Sequence, residues 1–280
     1  MQPIETVEEQ IRDAGVDFVV RRVSSLARKA ADRRRAKEHT GKRLNPFLPH
    51  EPNLFVADVS DTHLALLNKF NVIERHILIV TRSFVHQETL LDEADFAALA
   101  VCMAQMDGLG FYNGGEAAGA SQPHKHLQLV PLPLGKAGRA VPMESLFEPA
   151  RGARAILHVP GLPFGHALAW IDPAWFDEPS RAGARLHALY RELLALSAIG
   201  TVDVEGEMRQ ATPYNLLLTR RWMLLVPRSR ERFDSISINA LGFGGSLFVR
   251  NEPQLQALKR AGPMAALKAV SLPPRAIPPA

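Results

Sequence analysis

The sequence predicts an α+β protein with an antiparallel sheet, from the nature and order of its segments. Short apolar runs at residues 54–59, 63–67 and 76–81 have the length and composition of meander strands. A helical stretch follows at 91–106, where Phe96, Leu99, Ala100 and Met103 keep the 3.6-residue period, and further short strands come after it. Strands, then a helix, then strands indicate α+β.

In chain order, residues 5–36 are expected to form one or two helices, with Thr6 as N-cap and Glu9 completing a capping box. Residues 44–52 are punctuated by proline and extended. Gly108 and Gly110 mark the end of the helix at 91–106. A glycine-rich segment at 111–119 precedes a short apolar strand at 127–132. In the second half, 155–158 and 166–171 read as strands about a Pro-Gly-Leu-Pro turn, and 180–196 as an amphipathic helix. Residues 214–219 and 222–226 read as two strands turning at Arg220 and Arg221. Gly242, Gly244 and Gly245 precede an apolar stretch, a helix is expected over 252–268, and the last eight residues, with four prolines, form a loose tail. A division is expected near 176–180, giving an N-terminal catalytic domain over 1–178 and a C-terminal α+β portion over 179–280.

Composition narrows the class. A chain of 280 residues with 46% hydrophobic and 22% charged content has a globular core and is neither disordered, collagenous nor a coiled coil. The single cysteine, Cys102, excludes an intrachain disulfide and a zinc site built from several thiolates. No run reaches the roughly 18 apolar residues of a membrane span, and the acidic, polar start is unlike a signal peptide. A cytoplasmic protein is expected. The net charge of +4 is uneven: residues 21–43 hold ten Lys or Arg against Asp32 and Glu38, so that segment is +8 and the remainder −4. Such a cluster is a solvated helix face or a contact for polyphosphate, nucleic acid or an anionic surface.

Chemistry concentrates at residues 111–133. In an extended segment His124, His126 and Gln128 share one face, with Lys125, Leu127 and Leu129 on the other. Upstream, Asn113-Gly114-Gly115 and Gly119-Ala120-Ser121-Gln122 supply small residues whose backbone N–H groups can approach an anion. The two histidines could begin a metal site, but no nearby carboxylate or cysteine completes it. They could be a hydrogen-bonded structural pair, or a nucleophile acting at phosphorus, since imidazole is a good nucleophile near neutral pH.

The string Gly-Ala-Ser-Gln-Pro-His-Lys-His-Leu-Gln at 119–128 resembles the histidine triad superfamily in its transferase variant, with Gln at the third position, and specifically the ATP adenylyltransferases, or diadenosine tetraphosphate phosphorylases. Residues 68–82, 214–219 and 222–228 also resemble that family, so the likeness covers most of 44–250. It implies a histidine triad-like antiparallel sheet with flanking helices. It further implies transfer of AMP through a nucleotidyl-histidine, with His126 as nucleophile and Gln128 on the phosphate. His124 would orient the assembly or assist the leaving group. Donors to the phosphates are expected from Asn113, Gly114, Gly119, Ala120, Ser121 and Gln122. Lys69 is expected near the nucleotide, Lys29 as a cation from the basic helix, and Asn215, Thr219 and Arg228 over a second nucleotide, while Trp222 either stacks on adenine or belongs to the core. The implied reaction is reversible phosphorolysis of diadenosine tetraphosphate (Ap4A) to ATP and ADP. The expected partners are these nucleotides and inorganic phosphate, with no membrane or nucleic acid, and a monomer is the working expectation. A divalent cation, magnesium, would travel with the polyphosphate rather than sit in a protein cage. A hydrolase on the same scaffold and a non-catalytic nucleic-acid or nucleotide binder relying on residues 21–43 stay open.

Overall fold

The computed structural model describes residues 6–23, 45–151, 155–156 and 159–275. Lys29, most of the basic cluster and the expected helix beyond residue 23 lie outside the described residues.

The chain opens not with a helix but with an antiparallel hairpin, β1 (Val7–Asp13) and β2 (Val16–Arg22). Ala14 and Gly15 make its turn with φ of 48° and 80°, the left-handed pair that a two-residue hairpin loop requires. Val16, Phe18, Val19 and Val20 are buried, and β-branched and aromatic residues of this kind suit a pleated surface better than a helix. The helical reading rested on the Thr6 and Glu9 capping signature and passed over the Ala-Gly turn. Thr6 therefore caps nothing, and Glu9 lies opposite Val20 in the ladder, its carboxylate paired with Lys259. Arg21, first of the basic run, is buried. It pairs with Glu8 at 3.0 Å and donates to Ser246 Oγ at 3.0 Å, while Arg22 pairs with Glu252 at 2.5 Å.

A nine-stranded antiparallel sheet holds the molecule together. Its first three strands are the expected meander, β3 (Phe55–Asp58), β4 (His63–Leu67) and β5 (Ile77–Thr81). Helix α1 (Glu93–Gln105) follows, with Asp92 and Asp95 closing a capping box. β6 (Gly108–Gly114) and β7 (His126–Pro131) come next. Gly108 and Gly110 do not stop α1, which ends one turn earlier; they are part of β6. A Cβ at 108 would stand 2.5 Å from the Val130 carbonyl oxygen, so glycine is required there by close packing rather than by a turn. Then follow β8 (Ala155–Ile156), β9 (Ala167–Trp170), helix α2 (Pro179–Leu196), the small hairpin β10 (Thr201–Val204) and β11 (Glu207–Gln210), β12 (Tyr214–Leu218) and β13 (Trp222–Pro227). The order across the sheet is β3-β4-β5-β7-β6-β12-β13-β9-β8. Strands from both sides of residue 178 thus belong to one sheet, since β12 and β13 lie between β6 and β9.

A second short hairpin, β14 (Arg232–Phe233) and β15 (Ile236–Ser237), leads to β16 (Ser246–Val249), which runs parallel to β2 and ties the C-terminal stretch to the first hairpin. The helix expected over 252–268 is two helices, α3 (Glu252–Ala261) and α4 (Pro263–Val270). Gly262, with φ of +85°, and Pro263, which lacks an N–H, break it. Among the described residues no helix is long and apolar enough to cross a membrane.

Each face of the sheet has its own core. On one, Phe96, Leu99 and Met103 of α1 and Leu186, Tyr190 and Leu193 of α2 cover Leu127, Leu129 and Leu216. On the other, Phe18, Phe111, Val130, Leu224, Phe243 and Leu267 pack together. A fully buried Leu or Phe contributes about 1.5–3 kcal/mol. The two cores hold β7 rigidly, and its polar positions emerge on the second face, where the packing opens into a cavity.

Candidate active site

β7 begins at His126, and the alternation expected from the sequence holds. His126 and Gln128 line the cavity, while Lys125, Leu127 and Leu129 turn to the helical face. His126 Nδ1 lies 2.8 Å from the His124 main-chain oxygen. A carbonyl only accepts, so Nδ1 carries the hydrogen and Nε2 of the neutral ring keeps its lone pair. The backbone N–H of His126 donates to Gln87 Oε1 at 2.9 Å, and Gln87 Nε2 donates to the Asn113 and His126 carbonyls at 2.9 and 3.3 Å. Gln87 therefore clamps β7 to β6 at the level of His126. The sequence reading missed it, since a lone Gln in a loop carries no local signal.

His124 lies behind the cavity, fully buried. Its Nε2 donates to the Thr81 carbonyl at 2.9 Å, and its Nδ1 accepts from Asn45 Nδ2 at 3.0 Å. Burial pushes this imidazole below its ordinary pKa, which favours the neutral ring at physiological pH. Phe47 packs on both histidines, with ring centroids 5.5 Å from His124 and 5.3 Å from His126.

Beneath the strand, Lys125 reaches Asp95 at the start of α1, and His63 Nε2 donates to the other Asp95 oxygen at 3.0 Å. All three are at most 2% exposed. Burial alone would raise the Asp95 carboxyl, but the His63 hydrogen bond and the Lys125 charge outweigh it and hold it below the usual range.

The cavity has a volume of about 640 Å³, within the range of roughly 300–1,000 Å³ that takes small-molecule ligands. One wall is apolar, made by Phe47, Leu54, Leu66, Leu78, Val72 and Ile73. The loop Gly119, Ala120, Ser121 and Gln122 borders the other side with Asn113 and Asn239, and Lys69, Arg232 and Arg250 bring positive charge. A Cβ at Gly119 would lie 3.0 Å from the Asn239 Cα, and its φ is +92°, so the tight loop depends on glycine. Asn113 Oδ1 accepts from Asn215 Nδ2 and from the Ala240 N–H, both at 2.9 Å. The Nδ2 end of that amide is the one available to the cavity. An apolar wall, a donor-rich small-residue loop, cations and an imidazole whose Nε2 is unprotonated in the neutral ring suit a nucleotide whose phosphate meets His126.

Comparison with known proteins agrees with this geometry. The model of the Ap4A phosphorylase N-terminal domain matches residues 1–149, and that of the ATP adenylyltransferase C-terminal domain matches residues 160–273. The chain belongs to the Ap4A phosphorylase and ATP adenylyltransferase family. It is a transferase of the nucleotidyltransferase type, with Ap4A phosphorylase and adenylyltransferase activity. It is 28% identical over 249 residues to diadenosine 5',5'''-P1,P4-tetraphosphate phosphorylase 2 of Saccharomyces cerevisiae, covering 79% of this chain and 74% of that protein. The fold resembles the crystal structure of yeast Ap4A phosphorylase Apa2, with a TM-score of 0.77 at 22% identity over 99% of this chain and 93% of that one. It also resembles the same yeast enzyme in complex with Ap4A, with a TM-score of 0.73 at 21% identity over the same shares of the two chains.

Within this Ap4A phosphorylase fold, the residues expected to act together divide into two groups. Lys69, Asn113, Gly119, Ala120, Ser121, Gln122, His126 and Gln128 do line one cavity. Lys69 pairs there with Glu51 at 2.6 Å, both half exposed. Gly114, His124, Asn215, Thr219 and Arg228 do not line it. The Gly114 position is filled by Gln210 and Tyr214, the former 2.6 Å from where a Cβ would stand. Asn215 is buried behind Asn113, donating to Asn113 Oδ1 and to the Ala118 carbonyl at 2.8 Å. Arg228 is 1% exposed. It donates to Asn215 Oδ1 and to the carbonyls of Val270, Arg230 and Ile238 at 3.0, 2.7 and 3.0 Å. Its planar fork serves to lock three chain segments. Thr219 caps the turn into β13 through its Oγ1, which accepts from the Arg221 and Trp222 N–H groups. Trp222 is in the core and donates to Glu144 at 2.8 Å. The cavity is lined also by Glu231, Arg232, Asn239, Arg250 and Gln254, all from residues 231–254 and in no motif.

Proposed function

We propose that this chain runs the reversible phosphorolysis of Ap4A to ATP and ADP through an AMP adduct on His126. The observation that carries the proposal is the His126 Nδ1 to His124 carbonyl hydrogen bond, which leaves Nε2 as the nucleophilic nitrogen at the edge of the cavity. Its lone pair attacks the α-phosphorus, a P–N bond forms, and the bond to the bridging oxygen breaks as ATP leaves with the electron pair. The imidazolium that results is stabilised by the Nδ1–H bond to the carbonyl. An oxygen of inorganic phosphate then attacks the same phosphorus, the P–N bond breaks and ADP leaves with the ring neutral again. In reverse, ATP charges His126 and an acceptor nucleotide takes the AMP.

The transition states spread negative charge over phosphoryl oxygens, so donors fixed in advance are the main source of acceleration. Gln128, the Asn113 amide and the 119–122 loop are the donors we assign, with Lys69 exchanging Glu51 for a phosphate. The polyphosphate enters as its magnesium complex, with the cation held by phosphate oxygens; Glu231 in the cavity is engaged with Arg232 and Ser237. We place this activity in the cytoplasm and in a single chain. Mass spectrometry of products from Ap4A with and without phosphate tests the reading. ATP and ADP formed only with phosphate are expected, whereas ATP and AMP formed at the same rate without it would make the enzyme a hydrolase.

A further inference from the structure

We propose that His76 is a positioning residue which decides which end of the Gln128 amide faces the phosphate, and that its instruction originates in one backbone N–H. The inference deepens the reading of the site given above and rests on it.

The chain of reasoning starts at a group whose polarity is fixed. The Phe70 backbone N–H can only donate, and it lies 3.0 Å from Asn68 Oδ1. That bond sets the Asn68 amide, so its Nδ2 is the atom 3.2 Å from His76 Nδ1. An amide nitrogen donates, so His76 Nδ1 accepts and is unprotonated; in the neutral ring the hydrogen is then on Nε2. Nε2 lies 3.0 Å from Gln128 Oε1. Gln128 must therefore spend its oxygen on His76, which leaves its NH₂ as the end offered to the cavity. Had any link carried the opposite polarity, Gln128 would present a carbonyl oxygen to a phosphate, and a donor would become a repulsive contact.

His76 is well placed for this role. It is 8% exposed, stands on the edge of the cavity beside Gln128, and its ring packs on Phe111 at 5.8 Å. The same device occurs a second time in the molecule. Asn45 Oδ1 accepts from the Phe47 N–H at 3.0 Å, and Asn45 Nδ2 is 3.0 Å from His124 Nδ1. Two Asn-x-Phe turns thus each assign the tautomer of one histidine beside β7.

Two measurements test the inference. Long-range 1H–15N correlation on protein with labelled histidine, without nucleotide and at neutral pH, reads the His76 tautomer directly. A bare Nδ1 with a protonated Nε2 is expected, as is a gain of a proton at Nδ1 in Asn68→Asp, where an acceptor replaces the donor. A protonated Nδ1 in the parent would overturn the proposal. The second measurement is a double-variant cycle on AMP transfer. His76→Phe is expected to lower kcat by about the 10² that loss of one fixed donor costs, with KM nearly unchanged. Gln128→Ala added to it should bring little further loss, and His76→Gln, which can still donate to Oε1, should recover most of the rate. Losses that multiply would assign His76 an independent structural role and overturn the inference alone. Normal transfer by Gln128→Ala would instead overturn the reading of the site with it. If His76→Phe does not fold, the tautomer and the His76→Gln rate decide.

Discussion

The His126 ring is oriented by the backbone of His124, not by its side chain, across a distance of 2.8 Å. The residue two positions before the nucleophile thus contributes in two separable ways. Its carbonyl sets the tautomer of His126, and its buried imidazole holds that carbonyl in place through Thr81 and Asn45.

The two histidines should therefore respond differently to truncation. His126→Ala removes the attacking nitrogen, and both turnover and the AMP adduct should vanish. His124→Ala retains the carbonyl and should keep a residual rate. Protein denatured after mixing with Ap4A and analysed by intact mass gives the adduct, whose P–N bond should survive base and break in acid. Turnover by His126→Ala near the parent level would exclude covalent catalysis at this residue.

Gln128 can hold a phosphoryl group but cannot exchange a proton near neutral pH. Gln128→Ala should lower transfer by about 10² to 10³. Gln128→His, which introduces a group able to assist water, should raise the ratio of AMP released to ADP formed at saturating phosphate, even if both rates drop. An unchanged ratio would show that water is excluded by other parts of the cavity.

Gly119 in the phosphate loop and Gly114 at the end of β6 should fail in different ways. Gly119→Val forces a branched side chain into a φ of +92° beside Asn239, and nucleotide affinity by calorimetry should fall sharply. Gly114→Val instead meets Gln210 and Tyr214, so its principal effect should be a lower Tm, since overpacking costs about 1–3 kcal/mol. Equal loss of affinity with unchanged Tm in both would contradict this division.

The buried Asp95 makes the fold sensitive to acid. Its folded-state pKa is depressed, so the stability it contributes is present above the unfolded value of about 3.9 and is lost as pH falls through the folded value. Urea midpoints should decline on acidification below about pH 5, with a shallower slope in Asp95→Asn. At neutral pH Lys125→Met leaves the Asp95 charge without its cation, a loss on the order of 3–5 kcal/mol. Identical acid slopes in the parent and Asp95→Asn would remove Asp95 as the cause.

By itself the sequence determined what depends on short-range periodicity and on local motifs. The meander, α1, α2, β12 and β13 follow from patterns a few residues long. The alternation at 124–129 assigned His126 and Gln128 to one face and Lys125 to the other because a strand's side chains have a fixed period. The family resemblance was carried by the same segment. What only the tertiary structure decided are polarities and partners set by residues distant in the chain. The Val7–Arg22 hairpin was misread as helix because what commits it to β-structure is partly β16, more than 200 residues away. Asn215 and Arg228 have the chemistry of ligand-binding residues, yet their donors are taken by Asn113, Ala118 and Ile238, and nothing in a linear sequence shows that a buried donor is already satisfied. Gln87 and His76 are the converse. Gln87 lies in a stretch without a motif and His76 in one that carries only a general family likeness, and each acquires its role only when folding brings it within 3 Å of the His126 N–H or the Gln128 amide oxygen. A hydrogen bond has a direction that composition and spacing do not encode, and in this cavity that direction determines which atoms meet the phosphate.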